Sequence, residues 1–387
     1  MKSSMNVYLD NNATTLPSEA VRLAVSEAML LDYANPSSAH LPGREVRSKV
    51  ERARESVAQM LNCKLADEVV FTSCATESIS QVFSIYGNQN GGNFRIIVSA
   101  VEHSAVLESA QHWTGLGAKL DIISVDSLGR LRLDHLASAL MATKEPTLVS
   151  MMLANNETGV IFPIKEIGEM CRKSGAYLHV DAVQAPGKHP IDVAVFGCDY
   201  LSLSAHKFHG PKGIGALYIQ QGSPRGALLK GHQENTSRGG TENVPGIIGM
   251  GIAATEASLD IKQNATGLCR LRDLLEGGIL SSIDAVEING DQSNRLCNTS
   301  NIYFPGRDAS RMVEQLSVRG LHLSSGAACA TGGKLSHVLL AMGLGEHRAN
   351  SSLRFSLSKV TTDADIVNAI NIVKEVNSTG LNVYRTN

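Results

Sequence analysis

The stretch "AYLHVDAVQAPGKHPIDVAVFGCDYLSLSAHKFHGPKG", residues 176–213, decides the fold. "AYLHVD" (176–181) is apolar apart from His179 and ends on Asp181. "DYLSLS" (199–204) has the same strand character and runs straight into "AHKFHGPKG", where Lys207 precedes a glycine- and proline-rich turn. Asp181 and Lys207 are 26 residues apart, room for one helix and one strand, so they fit the C-terminal ends of two neighbouring strands.

The same pattern extends outward. Short runs rich in β-branched residues stand at "EVVFTS" (68–73), "RIIVSA" (95–100), "LDIISV" (120–125), "TLVSMML" (147–153) and "IGALYI" (214–219). Helical stretches lie between several of them, such as "DHLASALMA" (134–142) and "IKEIGEMCRKSG" (164–175). Upstream, "PSEAVRLAVSEAML" (17–30) places Pro17 at a first helical position. "GREVRSKVERARESVAQML" (43–61) sets Val46, Val50, Ala53, Val57 and Met60 on one helical stripe. Alternation of this kind predicts an α/β fold with a mostly parallel sheet covered by helices on both faces. After about residue 260 the rhythm changes. "GLCRLRDLLEGGIL" (267–280) and "ASRMVEQLSVRG" (309–320) read as helices, and "TSNIYFP" (299–305) and "LRFSLS" (353–358) as strands of a smaller α+β domain.

Composition narrows the function classes. The chain has 387 residues, 43% of them hydrophobic and 19% charged, with a net charge of −2. That balance is ordinary for a globular protein and gives no reason to expect direct binding to nucleic acid or an anionic membrane. No secretory leader and no membrane-spanning run is read, so a cytoplasmic location is expected. The seven cysteines are scattered without a CxxC pair, which argues against a disulfide framework or a zinc finger.

Open α/β sheets bind ligands beyond the carboxyl ends of their strands. Five polar clusters fall there: "TSCATES", "VEHSAV", "ANNETG", "HVDAVQ" and "SAHKFHGPKG". A partly desolvated Lys207 can form a Schiff base with a carbonyl cofactor, or be a surface loop lysine. Asp181 suits the pyridinium nitrogen of pyridoxal phosphate, or a helix N-cap. "TSCATES" can cradle a phosphate at a helix start, or simply cap that helix. His103 can stack on a planar ring and move protons, or serve as a structural histidine.

Long motifs then match a family. "YLDNNATT" (8–15), "NPSSAH" (35–40), "ANNETGVIFPI" (154–164), "HVDAVQAPGK" (179–188), "SAHKFHGPKGIGALY", "RGGTENVPGIIGMG" (238–251), "SSGAACATGG…SHVLLAMGL" and "SLRFSLSKVTT" (352–362) occur in order. The chain resembles the NifS/IscS-type cysteine desulfurases of the class-V aminotransferase family, which are fold-type I pyridoxal-phosphate enzymes. The resemblance implies a large domain (15–258) on a mostly parallel seven-stranded sheet, and a small domain (1–14 with 259–387) that carries Cys329. It implies conversion of L-cysteine to L-alanine, with the sulfur taken by Cys329 as a persulfide. By position, Lys207 matches the lysine bonded to the cofactor, Asp181 the pyridinium partner, Gln184 the donor to the ring's phenolic oxygen and His103 the stacked histidine. Ala75, Thr76, Ser204 and His206 match phosphate-binding positions. Thr241 matches a threonine that reaches the phosphate of the other subunit, which implies a homodimer with shared active sites. Asn155 and Arg354 match residues that hold the substrate carboxylate. An arginine fork suits that task through two parallel hydrogen bonds. His103 is also the candidate proton acceptor for the Cys329 thiol.

The family's sulfur acceptor is a protein such as an iron–sulfur scaffold. No metal site is expected apart from a transient iron–sulfur contact at Cys329. Departures from the family pattern are a segment after Cys329 about one residue shorter, with no acid–proline pair, and Asn235, Thr236 and Ser237 where many relatives carry arginines. Two other readings share these motifs. One is a pyridoxal-phosphate cystine or selenocysteine lyase, or an aminotransferase. The other is a non-catalytic scaffold that binds sulfur acceptors.

Overall fold

A computed structural model of the chain describes residues 6–142, 144–259, 261–325 and 335–379. Seven strands form one sheet. Their order is Val69–Thr72, Gly215–Ile219, Tyr200–Ser204, Tyr177–Asp181, Thr147–Met152, Arg95–Ser99, Lys119–Ile123. Gly215–Ile219 pairs antiparallel with both neighbours and every other pairing is parallel. Six strands therefore run one way, and the five polar clusters gather at their shared carboxyl edge.

Alternation within the strands gives the sheet two apolar faces. Ile97, Val149, Leu201 and Leu203 pack with Val46 and Val57 on one face. Ile96, Leu148 and Tyr200 pack with Phe83, Phe94 and Trp113 on the other. Helix Leu41–Leu61 buries the expected stripe of Val46, Val50, Ala53, Val57 and Met60. It crosses helix Val244–Ser258 at Gly251, where a Cβ would stand 2.6 Å from the Ala53 Cα, so only glycine permits this approach.

Some boundaries differ from the sequence reading. The first helix spans Glu19–Leu31 and its N-cap is Ser18, whose Oγ accepts from the Val21 amide at 3.3 Å. Pro17 thus precedes the cap, because a hydroxyl that satisfies an open amide outcompetes a residue with no amide of its own. The later helix spans Ile261–Leu280, starting six residues earlier than the apolar pattern suggested.

A three-stranded antiparallel sheet, ordered Ser352–Ser356, Thr299–Tyr303, Glu287–Asn289, supports a third apolar cluster containing Val7, Leu9, Leu275, Leu316, Phe355 and Val373. The N-terminal arm joins the two regions. The Leu9 amide donates to the His322 carbonyl at 2.8 Å, and the Ser356 amide to the Leu9 carbonyl at 2.7 Å. A few residues on, the Thr15 amide donates to the His206 carbonyl of the large sheet at 2.8 Å. Asp10 to Thr14 are thereby strung across the mouth of the strand-end edge.

Candidate active site

A cavity of about 660 Å³ opens at that edge, within the ~300–1,000 Å³ range of small-molecule sites. Ala75, Thr76, His103, Asp181, Gln184 and Ser204 line it, as do His206, Lys207 and Arg354. Nine of the residues named from the sequence therefore meet in one space.

Lys207 ends a short 3₁₀ turn that continues strand Tyr200–Ser204. Its Nζ donates to the carbonyls of Asn12 at 2.7 Å and Ala13 at 2.8 Å. Gln184 Nε2 donates to the same Asn12 carbonyl at 3.0 Å. Asp181 ends its strand, is 7% exposed, and accepts from the Val183 amide at 3.0 Å. Burial pushes its carboxyl above the usual range, while His103 and Lys207 pull the other way.

His103 is the N-cap of helix Ser104–Gly115, and its Nδ1 accepts from the Ala105 amide at 3.1 Å. Burial lowers its pKa, with Asp181 opposing, so the ring is neutral at pH 7. A neutral ring whose Nδ1 accepts carries its proton on Nε2. To take up a second proton, Nδ1 must first release this amide. His206 is pushed down to about 4 by burial, helped by Lys207 and Lys212, and its Nδ1 lies 3.1 Å from Thr14 Oγ1.

Helix Ala75–Asn90 starts at the cavity. Its N-cap, Cys74, makes no side-chain capping bond, so the first-turn amides are open to an anion. Arg354, 1% exposed, comes from the middle of strand Ser352–Ser356. Its Nη2 donates to Asp10 Oδ1 at 2.7 Å and its Nη1 to the Asn156 carbonyl at 3.2 Å.

Two expected residues are placed otherwise. Asn155 is fully engaged in its own loop. Its Oδ1 accepts from the Glu157 and Thr158 amides, both at 2.9 Å, and its Nδ2 donates to the Val101 carbonyl at 3.2 Å. It orders the turn that presents Asn156 and Glu157 to the cavity. Thr241 is exposed and is not among the residues lining this cavity. Cys329, with Gly332 and Gly333, lies outside the described residues. Among the described residues, no group of three or more His, Cys, Asp or Glu is arranged to hold a metal ion.

The sequence reading missed three participants. The Asn12 carbonyl receives both Lys207 and Gln184; a main-chain oxygen has no residue signature. Asp10 pairs with Arg354 across 344 positions, and only its place in "YLDNNATT" hinted at it. Buried Glu102 precedes His103 in the chain; its Oε1 accepts from Ser99 Oγ at 2.6 Å and from the Met152 amide at 3.1 Å.

The class-V aminotransferase family profile matches residues 7–368. Cysteine desulfurase 2 of Trichormus variabilis is 43% identical over 372 residues, covering 96% of this chain and 92% of that protein. Cysteine desulfurase NifS of Azotobacter vinelandii is 40% identical over 373 residues, covering 96% and 92%. Among solved structures, a NifS-like protein superposes with a TM-score of 0.91 at 36% identity, covering 97% of this chain and all of that one. A NifS-like protein from Rickettsia africae gives 0.87 at 32% identity, covering 96% and 99%. The chain belongs to the class-V aminotransferase family.

Proposed function

We propose that this chain is a pyridoxal-phosphate-dependent cysteine desulfurase. It takes sulfur from L-cysteine, releases L-alanine, and passes the sulfur through a persulfide on Cys329 to an acceptor for iron–sulfur cluster assembly or other thiolation. The observation that carries this reading is the meeting of Lys207, Asp181, His103 and Arg354 in one cavity at the strand ends. The donor set fits the cofactor. A buried carboxylate waits at a strand end for a cationic ring nitrogen, and open amides at a helix start suit a phosphate.

Bound there, pyridoxal phosphate supplies the electron sink that loosens the substrate's Cα proton and sulfur. Asp181 would hold the ring nitrogen charged. Gln184 would donate to the ring oxygen, with His103 packed against the ring. Ala75 and Thr76 amides, Ser204 and His206 would hold the phosphate. Arg354 would receive the substrate carboxylate, and Lys207 Nζ would move the Cα proton. Asn155 supports the carboxylate pocket through the turn it orders. The Cys329 thiolate takes the sulfur, breaking its bond to carbon and forming a sulfur–sulfur bond. His103 would take up the Cys329 thiol proton at Nδ1, once that atom releases the Ala105 amide.

The reading extends to organisation. An apolar cluster drawn wholly from Val7, Leu9 and residues 268–376 supports a small domain formed by 1–14 with 259–387 beside a large one at 15–258, whose core also takes in Val338, Leu339, Met342 and Ala349. Leu23, Leu30, Tyr33 and Leu41 are 60–84% exposed close together in sequence, which supports a homodimer in which a second copy covers them. Exposed Thr241 would then reach the partner's phosphate. No described helix is long and apolar enough to cross a membrane; a cytoplasmic location is part of the proposal.

The test uses Cys329→Ala and Lys207→Ala on the cofactor-loaded protein. Wild type should release alanine from cysteine and gain one sulfur on Cys329 by mass spectrometry. Both variants should lose catalytic alanine release. Pyruvate and ammonia as products would instead indicate a lyase.

A further inference from the structure

Strand Val69–Thr72 is the edge of the large sheet, and it leads directly to the helix start that would hold the phosphate. Among the described residues no strand pairs with its outward side. An ion pair takes the strand's place. Arg54 Nη1 donates to the Val69 carbonyl at 2.8 Å, and the Phe71 amide donates to Glu234 Oε2 at 2.7 Å. The two side chains bind each other through two bonds of 2.7 and 2.9 Å and are 7% and 8% exposed. Every polar atom of the Glu234 carboxylate is thus used.

Glu234 also begins an unusual backbone segment. Glu234, Asn235 and Thr236 have φ values of 49°, 51° and 65°, three consecutive non-glycine residues in the left-handed region. Such conformations persist only where the surroundings over-determine them, and they gather at functional sites. The loop's two arms touch at Gly231 and Gly239, where a Cβ on Gly231 would stand 2.5 Å from the Gly239 Cα. Gln81 Nε2 holds the Ser237 carbonyl at 2.7 Å, and Arg238 Nε reaches Glu77 Oε1 at 3.0 Å in the first turn of the phosphate-side helix. Thr241 follows at once.

We infer that Glu234 is a positioning residue: locked to Arg54 and the sheet edge, it holds residues 234–236 in their left-handed path and so sets the course of the loop to residue 240 and where Thr241 is presented. The inference rests on the reading of Thr241 as a contact to the partner subunit's cofactor phosphate. It explains how Asn235, Thr236 and Ser237 can replace the arginines of relatives, because the loop's shape comes from Glu234 and Arg54.

The test compares Glu234→Gln, Thr241→Ala and the double variant in the holoprotein. Amide hydrogen exchange at 235–240 should speed up at least ~10-fold in Glu234→Gln, while the rest of the large sheet exchanges as in wild type. Cofactor loss to a scavenger should rise about 10-fold in each single variant and no further in the double. If Glu234→Gln fails to fold, Arg54→Met/Glu234→Gln removes the pair without leaving a charge buried, and the same changes are expected. Unchanged exchange at 235–240, or a double variant whose effects multiply, overturns the inference. Unchanged cofactor loss in Thr241→Ala overturns the reading of Thr241 instead, and exchange alone then decides the role of Glu234.

Discussion

In the middle of the large sheet burial pushes His179 and Glu102 toward their neutral forms, whereas at its edge Arg54 and Glu234 are bound to each other. His179 and Glu102 belong to the centre. His179 is flanked by Ser150 Oγ at 2.8 Å and Ser202 Oγ at 2.9 Å, and burial pushes its pKa down to about 3. Burial pushes Glu102 up to about 8 despite its two hydrogen bonds. Arg54 and Glu234 belong to the edge, equally buried yet paired. The difference lies in the backbone. Central strands spend their amides and carbonyls on each other, so a central side chain finds a hydroxyl or a single amide and desolvation wins. An edge strand has main-chain groups to spare, and these complete the hydrogen bonding of a charged pair.

The strongest way to break this comparison is acid. A buried neutral histidine binds its proton less readily than in the unfolded chain. Its contribution is complete above pH 6.5 and is lost as pH falls toward about 3, on the order of 4–5 kcal/mol over the whole span. Urea unfolding at stepped pH should show that slope, and His179→Gln should flatten it. At the edge, Arg54→Met leaves the Glu234 carboxylate buried alone and should cost about 3–5 kcal/mol in the same assay, most of it recovered in Arg54→Met/Glu234→Gln. Arg354 extends the edge rule to the smaller sheet, where Asp10 balances its charge. Arg354→Lys loses the two-pronged grip and should raise KM for L-cysteine roughly 10–100-fold with the cofactor spectrum unchanged. The smallest effect sharpens the central case. Glu102→Gln mimics a neutral acid, so stability at pH 4, where the wild-type carboxyl is also neutral, should change by less than about 1 kcal/mol. The variant should also escape the loss that wild type suffers as pH rises from 4.5 through about 8.

The central region was legible in the sequence and the edge was not. Asp181, His103 and Lys207 each follow a short strand-like run, so strand ends alone brought them together. Arg54 and Glu234 are 180 positions apart, and no period or motif links them. The left-handed path at 234–236 was invisible because glutamate, asparagine and threonine do not announce it as glycine would. The bonds of Asn155 were hidden for a related reason: an asparagine in a tight turn turns its amide to its own backbone as readily as to a ligand.

The N-terminal arm has a consequence for how the protein is made. Asn11 Nδ2 donates to the Ser356 carbonyl across 345 positions, and the neighbouring Asn12 carbonyl receives Lys207. On the ribosome, Asp10 to Ala13 must therefore wait, unpartnered, until strand Ser352–Ser356 has emerged. Lys207 cannot find its full set of oxygens before then, although its own strand has long been synthesised. Such long-range closure is slow and comes late. Cofactor capture should consequently mark a finished chain and fail on nascent chains truncated before Ser352.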